Sequence, residues 1–264
     1  MKFLHFLITI LLLVVTSCDE KPPFIEEEEN LPVKCCTCLE DQGISDKYIY
    51  PYKKEELKQF DDYMEKLEVC QIPEDSLKNM CTIGLVDTYY DFPLLFHELF
   101  STSSVKMGLK LLEATFNGFR ELVSRIDMPE KLISNYNDAY PSNLESISDP
   151  IEIGVLQFQI NFKEITMGYD SICEKFTSEQ RRSVIEFGLK ILDGKRKYKH
   201  NEFSIRCTLF LIGNMLLKEK YQPLIDSIEN NNIEPLLNGL LIHATTTFVI
   251  EDYAKSYLVQ TSNN

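Results

Sequence analysis

The sequence predicts an all-α protein: an array of short antiparallel helices, with an irregular α-solenoid as one arrangement such an array can take. Three observations predict it. Helix-start signals recur at short intervals along the chain. Apolar residues repeat at three- and four-residue steps rather than alternately. Every glycine except Gly43 and Gly194 falls inside a helical pattern, where each costs about 1 kcal/mol against alanine unless close packing offsets it. No fixed repeat period and no tetratricopeptide or ankyrin consensus is present.

In order along the chain, four regions are expected: 1–17, 18–47, 48–258 and 259–264. The first has Lys2, an apolar stretch from Phe3 to Val15, and the small residues Thr16 and Ser17 before Cys18. That is the layout of a secretory signal, with an apolar core too short to span a bilayer comfortably. Val14-Val15-Thr16-Ser17-Cys18 resembles the bacterial lipobox. The resemblance implies lipidation of the Cys18 thiol, as by palmitate-type acyl chains, and a mature chain that begins there. Cleavage after Ser17 by an ordinary signal peptidase is the alternative. With several acyl chains at about 0.8 kcal/mol per buried methylene, such an anchor would be effectively permanent.

Residues 18–47 read as an acidic tether. Pro22-Pro23 stiffens it, and Glu26 to Glu29 is a like-charge run that cannot fold on itself. Asp19-Glu20 weakly resembles an export signal for the outer face of the Gram-negative outer membrane; a plain solvated spacer is the other reading. Cys35, Cys36 and Cys38 lack metal-site spacing and a nearby histidine. A disulfide within the tether or between molecules suits them better. Cys81, Cys173 and Cys207 lie in apolar helical patterns and are expected as small buried hydrophobes.

The helical domain opens with an amphipathic helix over 53–69, carrying Leu57, Phe60, Met64 and Leu67. Pro73 opens the next, and Thr82 is expected to cap a third that ends at Asp91-Phe92-Pro93. A short piece runs from Pro93 to Phe100, and Ser103 or Ser104 begins the one that reaches toward Phe116. Here a resemblance enters, carried by Ile72-Pro73, Thr82 before an aliphatic helix, the Phe92-Pro93 junction, and Phe116-Asn117-Gly118-Phe119 before Arg120-Glu121-Leu122. These elements resemble a family of uncharacterised secreted helical proteins and lipoproteins of Gram-negative anaerobes. The resemblance implies secretion and an all-helical fold and brings no activity.

Asp127 and Asp149 are further helix starts, and 151–168 is strongly apolar. Thr177-Ser178-Glu179-Gln180 is a capping box opening a helix that Asp193-Gly194 should stop. The stretches 203–217 and 236–250 are apolar nearly all round and are expected as central helices.

Composition bounds the function. With 27 basic and 41 acidic residues the net charge is −14, so phosphate backbones repel the chain and a nucleic-acid role is disfavoured. His97-Glu98 begins like a zinc-protease helix, but Ser101 stands where the second histidine belongs. His243 lies on an apolar stretch and reads as a core histidine. No nucleophile elbow, phosphate loop or dinucleotide fingerprint is present, so neither a cofactor nor an enzyme class is implied. One anomaly is a basic run, Lys195, Arg196, Lys197, Lys199 and His200, read either as a solvated loop or as a contact for an anionic partner. The expectation is a lipid-anchored extracytoplasmic helical protein, most simply at the outer membrane, that binds another envelope protein or peptide. A structural accessory of the envelope is the alternative, and an enzyme of unknown class the third reading.

Overall fold

The computed structural model describes residues 46–139, 149–242 and 248–262. Among them are fourteen α-helices, one 3-10 turn and no strand. Cys18, Cys35, Cys36, Cys38 and His243 lie outside the described residues. No helix among the described residues is long and apolar enough to cross a membrane.

The opening segment is extended, and it is fastened to the third helix. That helix, α3 (Thr82–Tyr90), follows α1 (Tyr63–Val69) and α2 (Glu74–Asn79). Asp46 accepts a hydrogen bond from the Cys81 amide at 2.9 Å, satisfying one of the donors that a helix start leaves open. A Cβ on Gly84 would fall 2.0 Å from Asp46 Oδ1, so only glycine lets the carboxylate approach. The Tyr48 amide donates to Thr88 Oγ1 at 2.8 Å and the Tyr50 hydroxyl to the Thr88 carbonyl at 3.1 Å. Thr82 is therefore not the expected cap: it is the first helical residue, and its hydroxyl donates to Asp127 at 2.7 Å.

Three other expectations are corrected. The span 53–69 is not one helix; a 3-10 turn (Glu56–Gln59) precedes a break, because Asp62 caps a new start by accepting from the Met64 amide at 2.8 Å. The span 236–250 is also broken, since Gly239 takes φ +81, a left-handed turn that ends the preceding helix. Cys81 is disulfide-bonded rather than a thiol packed as a hydrophobe. Cys173 and Cys207 are free and buried as expected; Cys70 is free and buried too.

The remaining helices of the first half are α4 (Leu95–Phe100), α5 (Val105–Thr115), α6 (Asn117–Ser124) and α7 (Met128–Asn137). Their core holds Phe92, Phe116, Phe119 and Leu122. Phe92 stacks on Phe116 at 4.1 Å and Phe119 on Tyr89 at 4.8 Å, contacts worth about 0.5–1.5 kcal/mol each beyond the area they bury. Ile72 is buried, and its amide and carbonyl both bond the Asn117 side chain.

The second half comprises α8 (Pro150–Met167), α9 (Asp170–Cys173), α10 (Ser178–Lys197), α11 (Glu202–Lys218), α12 (Gln222–Ile225), α13 (Glu234–Leu237) and α14 (Val249–Ser262). The capping box forms: Thr177 accepts from the Gln180 amide at 3.2 Å, and the Gln180 side chain accepts from the Thr177 amide at 2.9 Å. Helix α11 is buried nearly all round and is touched by α8, α9, α10, α12, α13 and α14. Helix α14 runs on into the stretch expected as a tail, where the Thr261 carbonyl accepts from Arg182 at 3.2 Å.

Candidate functional site: a sealed charge cluster and an open aromatic groove

The basic run does not form one surface. Helix α10 continues through Gly194 to Lys197, and the reversal comes at Lys199, with φ 55. One more turn of helix carries Lys195 onto the face of Val184, Gly188 and Ile191, which points inward. Lys195 is fully buried, and its ammonium donates to Glu164 at 2.5 Å, Asn161 at 3.0 Å and the Ser204 carbonyl at 2.9 Å. Arg196 forks onto Glu251 across the surface and lies over the Phe248 ring at 4.7 Å. His200 is buried, 3.2 Å from Ser204 Oγ through Nδ1. Arg196, Lys197 and Lys199 are exposed, Lys197 over the Tyr198 ring.

The partners of Lys195 form a closed network. Glu164 is fully buried and also accepts from the Tyr136 hydroxyl at 3.0 Å and Thr208 at 2.7 Å. Burial pushes the Glu164 carboxyl up, against the pull of the Lys195 charge and its three donors. Ser204 donates to Asn161 Oδ1 at 2.7 Å. Burial, reinforced by the Lys195 charge, holds the His200 imidazole down at about 4, so it is neutral at pH 7. A Ser–His contact beside a Lys–Glu pair has the ingredients of acid–base chemistry. Ser204, Glu164 and Lys195 are all at or below 1% exposure, so substrate cannot reach them. The cluster orders the core; breaking it would strand a buried charge.

A second buried acid has no such compensation. Glu98 is buried in α4 with neither carboxylate oxygen hydrogen-bonded, and desolvation pushes its carboxyl up. Its neighbour His97 points the other way and packs on Tyr63 at 5.0 Å. Among the described residues no group of His, Cys, Asp and Glu is arranged to hold a metal ion.

An accessible concavity lies where the extended segment crosses the Phe92-Pro93 junction. It is an open groove of about 540 Å³ lined by Tyr48, Ile49, Tyr50, Tyr52, Phe92, Pro93 and Phe96, with Lys47, Lys53, Lys54 and Asp91 at its rim. That volume is in the range of ligand-binding clefts. Tyr48 and Tyr50 meet edge to face at 5.4 Å, Tyr50 leans on Phe92 at 6.0 Å, and Tyr52 packs on Phe60 at 5.2 Å. The rings thus brace one another before any ligand arrives. Lys54 sits over Phe96 at 5.2 Å, a cation–π contact. Lys47 pairs with Asp91 at 2.8 Å, and that pair divides the groove from a smaller polar recess of about 320 Å³ that Lys163, Asn135 and Asp87 also line.

Sequence reasoning missed this groove by extending the helical pattern back to Tyr48. The signal was there: Tyr48-Ile49-Tyr50-Pro51-Tyr52 alternates with period two and contains a proline, which reads as extended chain. Compared with known proteins, the chain matches no family model, no curated protein and no solved structure.

Proposed function

We propose that this is a lipid-anchored protein of the bacterial cell envelope whose helical body binds another protein or peptide. The anchor rests on the sequence alone: Lys2, the apolar run to Val15 and the lipobox-like approach to Cys18. The acidic Asp19-Glu20 that follows supports placement at the outer membrane. The resemblance to secreted helical proteins and lipoproteins of Gram-negative anaerobes is in keeping with both.

The observation that carries the binding reading is the braced aromatic groove. Ile49 is 80% exposed and Phe96 47%, and exposed large apolar groups gathered in one concavity mark interaction surfaces. Rigid aromatic rings supply contact area at little entropic cost, and the lysines at the rim add orientation. Selection of random peptides on the purified protein tests it. The expected result is a recurrent sequence class whose binding is lost in Ile49→Glu. Selection that yields no recurrent class, or one indifferent to Ile49→Glu, refutes the reading.

A further inference from the structure

Among the described residues, the amino-terminal part of helix α8 leaves an apolar face largely uncovered. Its amino-terminal stretch 151–159 contains no buried residue. Ile151 is 77% exposed, Val155 52% and Phe158 46%, and Phe162 continues the same line half-buried. Their spacing is four, three, four, which is the seam that one helix offers another. A Cβ on Gly154 would meet nothing within 4 Å, so the neighbouring surface is clear as well.

The stripe is continuous with the groove. Phe96 packs on Phe158 at 6.2 Å, and Lys54 lies over Phe96 at 5.2 Å. Three lysines against one aspartate line the groove, in a chain whose net charge is −14. An apolar seam with a local positive border in an acidic protein is complementary to an amphipathic helix flanked by carboxylates. The same net charge opposes a second copy as occupant, because two such chains repel. It equally opposes an anionic bilayer, and Glu152 beside Ile151 is unsuited to insertion in any bilayer.

We infer that the partner presents an amphipathic helix with acidic flanks, seated along Ile151, Val155 and Phe158 with its carboxylates toward Lys53 and Lys54. This rests on the protein-binding reading above and names the form of the partner.

Three synthetic peptides test it by fluorescence anisotropy on the full chain. One is an amphipathic helix with leucines at three- and four-residue spacing and glutamate flanks. The second replaces the glutamates with lysines, and the third carries a central proline that breaks the helix. The expected result is saturable binding of the glutamate-flanked helix, weakened roughly tenfold or more in the other two. Val155→Glu should abolish it, and Ile126→Glu, at a 98% exposed control position, should not. Equal binding of the proline peptide, lost in Ile49→Glu, would overturn the helical partner and leave the peptide-binding reading standing. No binding of any peptide would overturn the inference, and with it the broader reading if random-peptide selection also fails. Two further measurements name the rival occupants. A dimer in sedimentation that Val155→Glu dissolves would assign the face to a second copy. Flotation with phosphatidylcholine–phosphatidylglycerol vesicles, lost in the same variant, would assign it to a lipid surface. Either result contradicts the inference.

Discussion

Lys195 and Lys54 show how differently one chain treats two lysines. Lys195 is sealed in the core between α8 and α11, with Glu164, Asn161 and a backbone carbonyl accepting its three hydrogen bonds. Lys54 is exposed, spread over an aromatic ring at the border of an open groove. The first arrangement is rich in chemistry and closed to substrate. The second is chemically plain and open. Access, not the presence of charged groups, separates a structural cluster from a binding surface.

The largest effect comes from breaking the sealed cluster. Lys195→Met leaves Glu164 buried without its charge partner and should cost about 3–5 kcal/mol, read by denaturant unfolding. Adding Glu164→Leu should recover most of that loss, because two apolar groups need no pairing. A single variant as stable as the wild type would contradict the structural role.

The cluster also sets a pH dependence. His200 is held at about 4 in the folded protein, against about 6.5 unfolded. The unfolded chain therefore binds the extra proton first, and stability falls as pH drops from about 6.5 toward 4. The loss amounts to at most about 3 kcal/mol. His200→Gln should flatten that part of the profile; an unchanged slope would show that the imidazole is not buried neutral.

A smaller gain is expected at Glu98. Its carboxyl is buried with no hydrogen bond to lose, so Glu98→Leu should stabilise the fold by about 1–2 kcal/mol. At the groove, by contrast, Ile49→Glu should change stability by no more than about 0.5 kcal/mol while removing peptide binding. A surface residue that costs binding and not folding is what the comparison requires.

Much of the fold was legible because helix starts are local. The Thr177 box, the Asp149 and Ser104 caps and the apolar run of α11 follow from residues a few positions apart. The misreadings arose where a tertiary contact overrode a local signal. Asp193-Gly194 has the composition of a helix stop, yet α10 continues because Ile191, Leu192 and Lys195 are all held in the core. Carrying the four-three-four spacing of Val184, Gly188, Ile191 and Lys195 past the glycine would have placed the lysine inward. Its partner Glu164 lies 31 residues away on another helix, and no local pattern pairs the two. The groove was readable as period-two aromatics, whereas its concavity depends on Thr88 fastening Tyr48 and Tyr50 to α3.

One measurement tests the central claim most directly: a photo-crosslinking amino acid placed at Ile49, and separately at Lys199, in the full chain within its native cells. The account expects a discrete crosslinked partner from position 49, competed by the glutamate-flanked peptide, and none from position 199. A partner captured from 199 and not from 49 would contradict it and move the binding surface to the basic end of α10.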